Sequence, residues 1–398
     1  MNPRHGSWWE RGLDLESPSC VTLPADVDVL IVGAGFTGGW LAYHLSQLAT
    51  PPSTLVLERD AFSYGASSRN AGFLTCGQLS EMQADVDAVG LDAVVENFLK
   101  RLDGMAIVRS RFPELAVDTS GSLDWDPLTD AQRQLARHLN EAAGEEVYRL
   151  GPARVGGQTR DASMNLRDSG LDPVDLLIRL RGRSTATFAF GAEVTAIGDG
   201  RAQVQVADTA REVCYGHAFV ATNAFASVLH PGTPVQPGRG QVIITTPVTT
   251  DHDRTLGYMN QGYDYFRWIG DRLLLGGGRH RHPEENGPTD LSPTDPVRDY
   301  LLETARVITG DTHLEVEHHW AGIMGFHEGR HLGGSPRERL DGTTDVVAGF
   351  GGMGVALTPA VTAAAEGDSS PGTSHAPGPS PAGPSATASR TATPTQAR

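Results

Sequence analysis

Gly33-Ala34-Gly35-Phe36-Thr37-Gly38 spells G-x-G-x-x-G directly after the apolar run Val27–Val32 and directly before a segment of helical spacing. At this spacing the first glycine makes a tight turn, the second lets backbone approach a pyrophosphate, and the third lets a helix pack closely on a strand. The helix N-terminus then presents unpaired N–H groups and a positive dipole end to phosphate. Glu58 stands twenty positions beyond Gly38, at the end of the next apolar run, where a carboxylate accepts ribose hydroxyls. An acid there, rather than an arginine, argues against a 2′-phosphate and so against NADP, leaving FAD or NAD.

The elements that must position these residues are legible around them. Val27–Val32, bounded by Asp26 and Gly33, is expected as a buried strand. Thr37–Leu48 follows with Leu41, His44, Leu45 and Leu48 on one face, and Pro51-Pro52 end that helix. Ser53–Glu58 is a second short buried strand, completing a β-α-β unit of a doubly wound α/β fold. Ala84–Arg111 and Pro127–Glu146 are expected to be helical. Gln203–Val206, Glu212–Ala221, Gln241–Pro247, Tyr263–Trp268 and Arg272–Gly276 are expected to be strands, the last two joined by the hairpin turn Ile269-Gly270-Asp271. The middle of the chain is therefore richer in antiparallel signals than its start. Val346–Ala365 is twenty uncharged residues, but Gly349, Gly351, Gly352, Gly354 and Pro359 make it a buried strand, glycine turn and helix rather than a membrane span.

Composition narrows the chemistry. The 398 residues include 32 basic and 48 acidic side chains, a net charge of −16, and Lys100 is the single lysine. No P-loop is possible, and a lysine Schiff base has only Lys100 to use. The acidic balance argues against nucleic acid and against an anionic membrane surface as partners. Cys20, Cys76 and Cys214 are odd in number and far apart, which fits a reducing compartment, and the N-terminus has no apolar run of signal-peptide length. A soluble, cytoplasmic protein is expected. From Gly367 to Arg398 there is no large apolar residue, and six prolines stand among Ser, Thr, Ala and Gly, so a disordered tail is expected. That tail carries +1 of the overall −16, which leaves −17 in the body ending near Glu366.

After Glu58 comes Ser63-Tyr64-Gly65-Ala66-Ser67-Ser68-Arg69-Asn70-Ala71-Gly72-Phe73-Leu74, mostly small or hydroxylated residues suited to a groove around phosphate. Placed there, it resembles the pyrophosphate-wrapping segment of the D-amino-acid-oxidase-like (DAO) flavoprotein family. The resemblance extends through Gly191-Ala192-Glu193-Val194, Phe219-Val220-Ala221-Thr222-Asn223-Ala224, Pro237-Gly238-Arg239-Gly240-Gln241 and Tyr265-Phe266-Arg267. It continues in Leu273-Leu274-Leu275-Gly276-Gly277, Trp320-Ala321-Gly322 and Val347–Val355. The opening Ser7-Trp8-Trp9-Glu10 is similar to the amine-oxidising branch, near gamma-glutamylputrescine oxidase and glycine oxidase.

The resemblance implies a Rossmann-type FAD-binding domain, doubly wound on a mainly parallel sheet, interleaved with an antiparallel-sheet substrate domain. It places an N-terminal arm at 1–23, the discontinuous FAD domain at 24–80, 160–235 and 313–366, the substrate domain at 81–159 and 236–312, and the tail at 367–398. FAD would be held by Gly33, Gly35, Phe36, Thr37, Gly38, Glu58, Arg59, Ala66, Ser67, Arg69, Asn70, Gly72, Phe73 and Leu74. Val194, Ala221, Thr222, Gly351, Gly352, Met353, Gly354 and Val355 would complete the set. The glycine turn Gly351–Val355 would aim N–H donors at the charge left on the reduced flavin. Tyr265, Phe266 and Arg267 are the candidates for the substrate face, with Tyr265 and Arg267 as the catalytic candidates. The implied reaction is oxidation of a C–N bond in an amine or amino acid by hydride transfer to flavin N5, with hydrolysis of the imine and reoxidation by O2. A dehydrogenase passing electrons to a carrier, or a non-catalytic flavin-binding remnant, are the alternatives.

Several departures bear on this reading. Ile323-Met324-Gly325 occupies the place where amino-acid-oxidising relatives carry a carboxylate-clamping arginine, which favours an amine, or an amine bearing a distant polar group, with Arg267 as the candidate substitute for the clamp. Lys100 is not where some relatives keep a lysine beside the flavin. The last helix is shorter than the family's. His327-Glu328-Gly329-Arg330-His331 spells the zinc motif H-E-x-x-H, but its many neighbouring glycines deny it the helix that motif needs, so no metal is expected. His280, His282, His318 and His319 are expected to be solvated or satisfied rather than metal ligands.

Overall fold

A computed structural model describes residues 6–13, 22–155, 157–250, 254–327 and 337–363. Strand Asp26–Val32 lies between Thr54–Glu58 and Thr209–Val220, parallel to both, inside an eight-stranded sheet. Thr187–Phe190 extends the parallel set beyond Thr54–Glu58, and Thr344–Val347 pairs in parallel with the end of Thr209–Val220. Residues Val29–Val32 and Thr54–Leu57 are buried without alternation, as strands covered on both faces must be. The start of Thr209–Val220 turns back through Arg201–Val206 to Ala192–Gly198, an antiparallel extension of the same sheet.

A second eight-stranded sheet runs in the order Val316–His327, Val235–Thr245, Arg272–Gly277, Asp264–Ile269, Leu256–Met259, Ser122–Asp124, Gln158–Asn165 and Tyr148–Val155. All its pairings are antiparallel except that between Leu256–Met259 and Ser122–Asp124. The border expected at 160 therefore cuts a hairpin of this sheet, because Tyr148–Val155 and Gln158–Asn165 pair along their length. The border expected at 313 likewise precedes Val316–His327, whose ladder with Val235–Thr245 ties it to this second sheet. The single helix expected over 84–111 is two helices, Leu79–Val89 and Leu91–Arg111, because Gly90 breaks the run at φ +89°.

Three helices converge behind the sheets. The first α-helix is Phe36–Ser46 and the last is Gly354–Ala363, as the strand-turn-helix reading of 346–365 required. Helix Leu91–Arg111 meets the last helix backbone to backbone: a Cβ on Gly104 would stand 1.7 Å from the Ala356 carbonyl oxygen. His44 of the first helix bonds through Nε2 to the Pro359 carbonyl of the last at 3.0 Å, and Trp40 stacks on its ring at 5.4 Å between centroids. The expected disordered tail at 367–398 lies outside the described residues.

Burial pushes the His44 imidazole down to about 4, so the folded chain keeps it neutral where the unfolded chain takes up a proton. Stability should therefore fall as pH drops from about 6.5 towards 4. His44→Gln keeps a donor for Pro359 and removes the titration. In urea melts across that window the unmodified chain should lose up to about 1.4 kcal/mol per pH unit more than the variant. Parallel losses in the two proteins would contradict a buried, neutral His44.

Candidate FAD and substrate site

At the first strand-to-helix turn, space permits nothing larger than glycine. Gly33 has φ +102° and its Cβ would stand 2.8 Å from the Ala221 carbonyl oxygen; a Cβ on Gly38 would stand 1.9 Å from the Gly33 carbonyl oxygen. The first helix thus begins against its own sheet with its N-terminus open to a cavity of about 300 Å³ lined by Gly33, Gly35, Phe36 and Thr37. Phe36 N–H donates to Ser67 Oγ at 2.8 Å. Glu58 Oε2 accepts from Ala34 N–H at 3.0 Å and Oε1 from Asp60 N–H at 3.3 Å, while burial pushes its carboxyl upward. Arg59, Ala66, Ser67, Arg69, Asn70, Phe73, Val194, Ala221 and Thr222 line the same cavity.

The wall formed by Ala66–Arg69 is fastened from outside by the N-terminal segment. Ser7 Oγ donates to the Ser68 carbonyl at 2.7 Å, Trp9 Nε1 to the Asn70 carbonyl at 2.8 Å, and Ser68 Oγ to Glu10 Oε1 at 2.7 Å. Arg69 Nη1 reaches the Ala321 carbonyl at 3.0 Å, and Trp320 Nε1 donates back to the Arg69 carbonyl at 2.9 Å. The Ser-Trp-Trp-Glu opening therefore holds the cavity wall in place.

At the far end, Gly351 has φ +57°, its N–H donates to the Gly325 carbonyl at 2.8 Å, and the last helix starts at Gly354. Gly351, Gly352, Met353, Gly354 and Val355 all line the cavity, so a second helix N-terminus opens onto it. Asn223, at φ +47°, accepts from Gly349 N–H at 3.0 Å and fixes this turn to the strand end beside it. The buried Thr222 Oγ1 has no protein partner. Two helix N-termini on one cavity, a backbone cradle that glycine alone permits and an orphaned hydroxyl fit a dinucleotide whose second half is a flavin.

Not every expected residue is in the wall. Gly38, Gly72 and Leu74 are absent from it. Gly38 serves the strand–helix contact, and Leu74 is fully buried core. Gly72, at φ +75°, leaves room for the Leu171 carbonyl oxygen and for Arg267 Nη1, which would lie 2.2 and 2.6 Å from a Cβ there. Neither Arg267 nor Phe266 is a cavity residue: Phe266 points into the core with Ile243 and Leu275. Arg267 Nη1 donates to the Gly72 and Leu171 carbonyls at 2.7 and 2.8 Å, and burial lowers the guanidinium to about 10, so it stays charged while bracing the wall from behind. Tyr265 does line the cavity, with Tyr258, Phe73 and Met324. Burial pushes the Tyr265 phenol up to about 12 and the Tyr258 phenol well above its ordinary range, so both remain neutral. Tyr258, Ser63, Asn223 and Met324 were not selected as site residues from sequence, although Ser63 opens the Ser63–Leu74 segment, Asn223 lies in the Ala221–Ala224 turn and Met324 stands at the place of the missing clamp; Tyr258 alone carried no signal.

Lys100 is exposed and pairs with Glu96 at 2.6 Å, away from the cavity. His327 ends a strand, while Glu328–His331 lie outside the described residues. His282 meets Glu284 at 3.0 Å, His318 the Gly6 carbonyl at 2.6 Å, and His319 the Gln241 amide at 3.0 Å. Among the described residues no cluster of His, Cys, Asp or Glu is arranged to hold a metal, and no helix is long and apolar enough to cross a membrane.

Fold and cavity together define a flavin-dependent oxidoreductase of the doubly wound class. The chain belongs to the DAO family of FAD-dependent oxidoreductases, whose model, described as FAD dependent oxidoreductase, matches residues 28–365. No curated protein sequence matches it. Among solved structures it is similar in fold to L-proline dehydrogenase from P. horikoshii, at 18% identity over 85% of this chain and 92% of that one, TM-score 0.67. Glycine oxidase from Geobacillus kaustophilus matches at 18% identity over 85% and 93%, TM-score 0.67. L-amino acid deaminase from Proteus vulgaris matches at 13% over 89% and 95%, TM-score 0.68.

Gly38→Ala places a methyl against backbone that has nowhere to move, whereas Gly65, also in the cavity wall, has open space at its Cβ. Purified Gly38→Ala protein should bind FAD at least about 100-fold more weakly, equivalent to losing one or two charge-assisted hydrogen bonds. Gly65→Ala should bind as the unmodified chain does. Equal FAD affinity of all three in a fluorescence titration would count against this cradle.

Proposed function

We propose that the protein oxidises the C–N bond of an amine or amino acid, with amines favoured. The observation that carries this reading is the aromatic compartment of Phe73, Tyr258 and Tyr265, which shares one cavity with the Gly351–Val355 turn and has Ile323 and Met324 where a carboxylate clamp is expected. When bound, FAD supplies the two-electron acceptor for this oxidation. It would be held by Gly33–Thr37 and Glu58 at the nucleotide end, Ser67–Asn70 along the middle, and Gly351–Val355 at the flavin end. The substrate-side sheet carries Tyr258 and Tyr265 on adjacent paired strands, so their rings hold a fixed spacing. The three rings pack on one another, Phe73 meeting Tyr258 at 5.2 Å and Tyr265 at 5.7 Å between centroids, and Glu81 lines the cavity beside them. Such a wall excludes water and favours the neutral amine, the form that can surrender a hydride. No side chain is needed as a base. Arg267 is a positioning residue that holds 71–72 against the sheet.

For the electron acceptor, O2 remains the first reading. The carrier-dependent alternative gains support from Lys100, which pairs with Glu96 on the outer face of its helix instead of lining the cavity. The free thiols of Cys76 and Cys214 support a reducing, cytoplasmic setting.

The test is optical. Anaerobic addition of primary and secondary amines should bleach the yellow of the purified flavoprotein, and air should restore it with release of peroxide if O2 is the acceptor. Colour that air does not restore but an added soluble quinone does selects the carrier. A flavoprotein that neither amines nor amino acids bleach contradicts the proposal. Tyr265→Phe should keep kcat within about threefold while Tyr265→Ala, which opens the wall to water, should lower it at least about tenfold.

A further inference from the structure

Helices Leu79–Val89 and Leu91–Arg111 and the turn before the last helix enclose a side compartment of about 150 Å³. It adjoins the FAD cavity, and Tyr265, Met324, Gly262 and Glu81 line both spaces. Three polar atoms of residues in its lining are buried and have no hydrogen-bond partner among the described residues: Asn97 Oδ1, Arg101 Nε and His327 Nε2. Arg101 is 3% exposed, and its Nη1 is already given to the Cys76 carbonyl at 3.3 Å. The three atoms come from a helix and from the end of strand Val316–His327, so no one displaced side chain accounts for them. An amide oxygen only accepts, a guanidinium N–H only donates, and an imidazole nitrogen does either. Buried polar atoms in folded proteins are satisfied by protein or by ordered water.

The rest of the lining decides between water and an ion. Glu81 and Asp85 stand in it together with Arg101 and Arg279, two charges of each sign, so neither an anion nor a cation meets a wall of opposite charge. Water donates and accepts, and so answers all three atoms. A buried water needs about 10–15 Å³, so the compartment has room for several. Tyr265 and Met324 lie in the partition between this polar space and the aromatic one. Glu81 reaches both sides of it. Its Oε2 would stand 3.4 Å from a Cβ on Gly262, and burial, Asp168 and then Glu81 raise the Tyr258 phenol on the substrate side.

Resting on the amine-oxidation reading, we propose that this compartment holds the water that hydrolyses the imine before release, with Glu81 as the residue that carries its proton. Hydride loss from a neutral primary amine leaves an iminium ion. Water from the compartment adds to the iminium carbon, the C=N π pair moves to nitrogen, and a water proton passes to the Glu81 carboxylate. Glu81 then returns that proton to nitrogen, the C–N bond breaks, and the hydroxyl proton leaves on the ammonia. The products are a carbonyl compound and ammonium, and Glu81 ends as a carboxylate again. Tyr265 and Met324 keep the stored water off the reacting carbon while the hydride leaves.

A high-resolution crystal structure of the FAD-loaded enzyme should show ordered waters bonded to Asn97 Oδ1, Arg101 Nε and His327 Nε2. A compartment closed by side chains, or holding an ion on those atoms, would overturn the assignment. Turnover reads the role of Glu81. In an anaerobic single turnover, sodium cyanoborodeuteride converts surviving iminium to α-deuterated amine, which mass spectrometry counts per flavin bleached. Glu81→Gln should raise that label at least about fivefold, and Glu81→Asp should recover part of the difference. Asn97→Leu, which removes a water ligand and leaves Glu81 in place, should raise it in the same direction and keeps the test open if the Glu81 variants do not fold. Equal labelling in the unmodified enzyme, Glu81→Gln and Asn97→Leu would overturn the proposal. A flavin that neither amines nor amino acids bleach, with the waters in place, would instead remove the amine-oxidation reading and leave the water compartment standing.

Discussion

The structure depends on contacts in which backbone meets backbone with no side chain between. Gly38 against Gly33 seats the start of the first helix on its sheet, and Gly104 against Ala356 seats the last helix on Leu91–Arg111. His44 then bridges the first helix to the last at the Pro359 carbonyl. Each contact is short because glycine removes the atoms that would hold the elements apart. Together they fix two helix N-termini on one cavity, and a charged ligand bound there gains from dipoles and N–H groups that need no rearrangement.

The electrostatic arrangement follows from this frame. Arginine is abundant in the chain, yet those around the site are mostly committed to the protein. Arg267 spends its charge on main-chain carbonyls, Arg69 reaches the Ala321 carbonyl and Glu10, and Arg239 sits between two acids. The compartment beside Gly351–Val355 is lined chiefly by two neutral phenols and a phenyl ring, with Glu81 as the carboxylate among them. Arg101 likewise gives its Nη1 to a main-chain carbonyl, that of Cys76, at 3.3 Å.

Much of the nucleotide end was legible in the sequence because local chemistry specifies it. A glycine turn between an apolar strand and a helix has few alternatives, and Glu58 follows at a distance set by one helix and one strand. The same is true of Gly351–Val355, where glycines interrupt an apolar run. Arg267 was misplaced because strand alternation says which face a residue takes but not whether a carbonyl cluster waits there. Gly72 entered the expected FAD set as part of a motif, whereas its lack of a side chain serves the close approach of the Leu171 carbonyl and Arg267. Tyr258 and Arg101 carried no local signal at all, since their place beside Tyr265 arises from pairing and packing between segments far apart in the chain. The break at Gly90 was within reach: a positive-φ glycine ends a helix, but the apolar periodicity on either side of it reads as continuous.

The most direct test of this account is a crystal structure of the protein soaked with FAD. The pyrophosphate should lie at the N-terminus of Phe36–Ser46 beside Gly33–Thr37, the ribose against Glu58, and the flavin ring against the Gly351–Val355 turn with Tyr258 and Tyr265 across from it. FAD bound elsewhere, or with its flavin ring turned away from the last helix, would contradict the claim that the two helix N-termini form one flavin site.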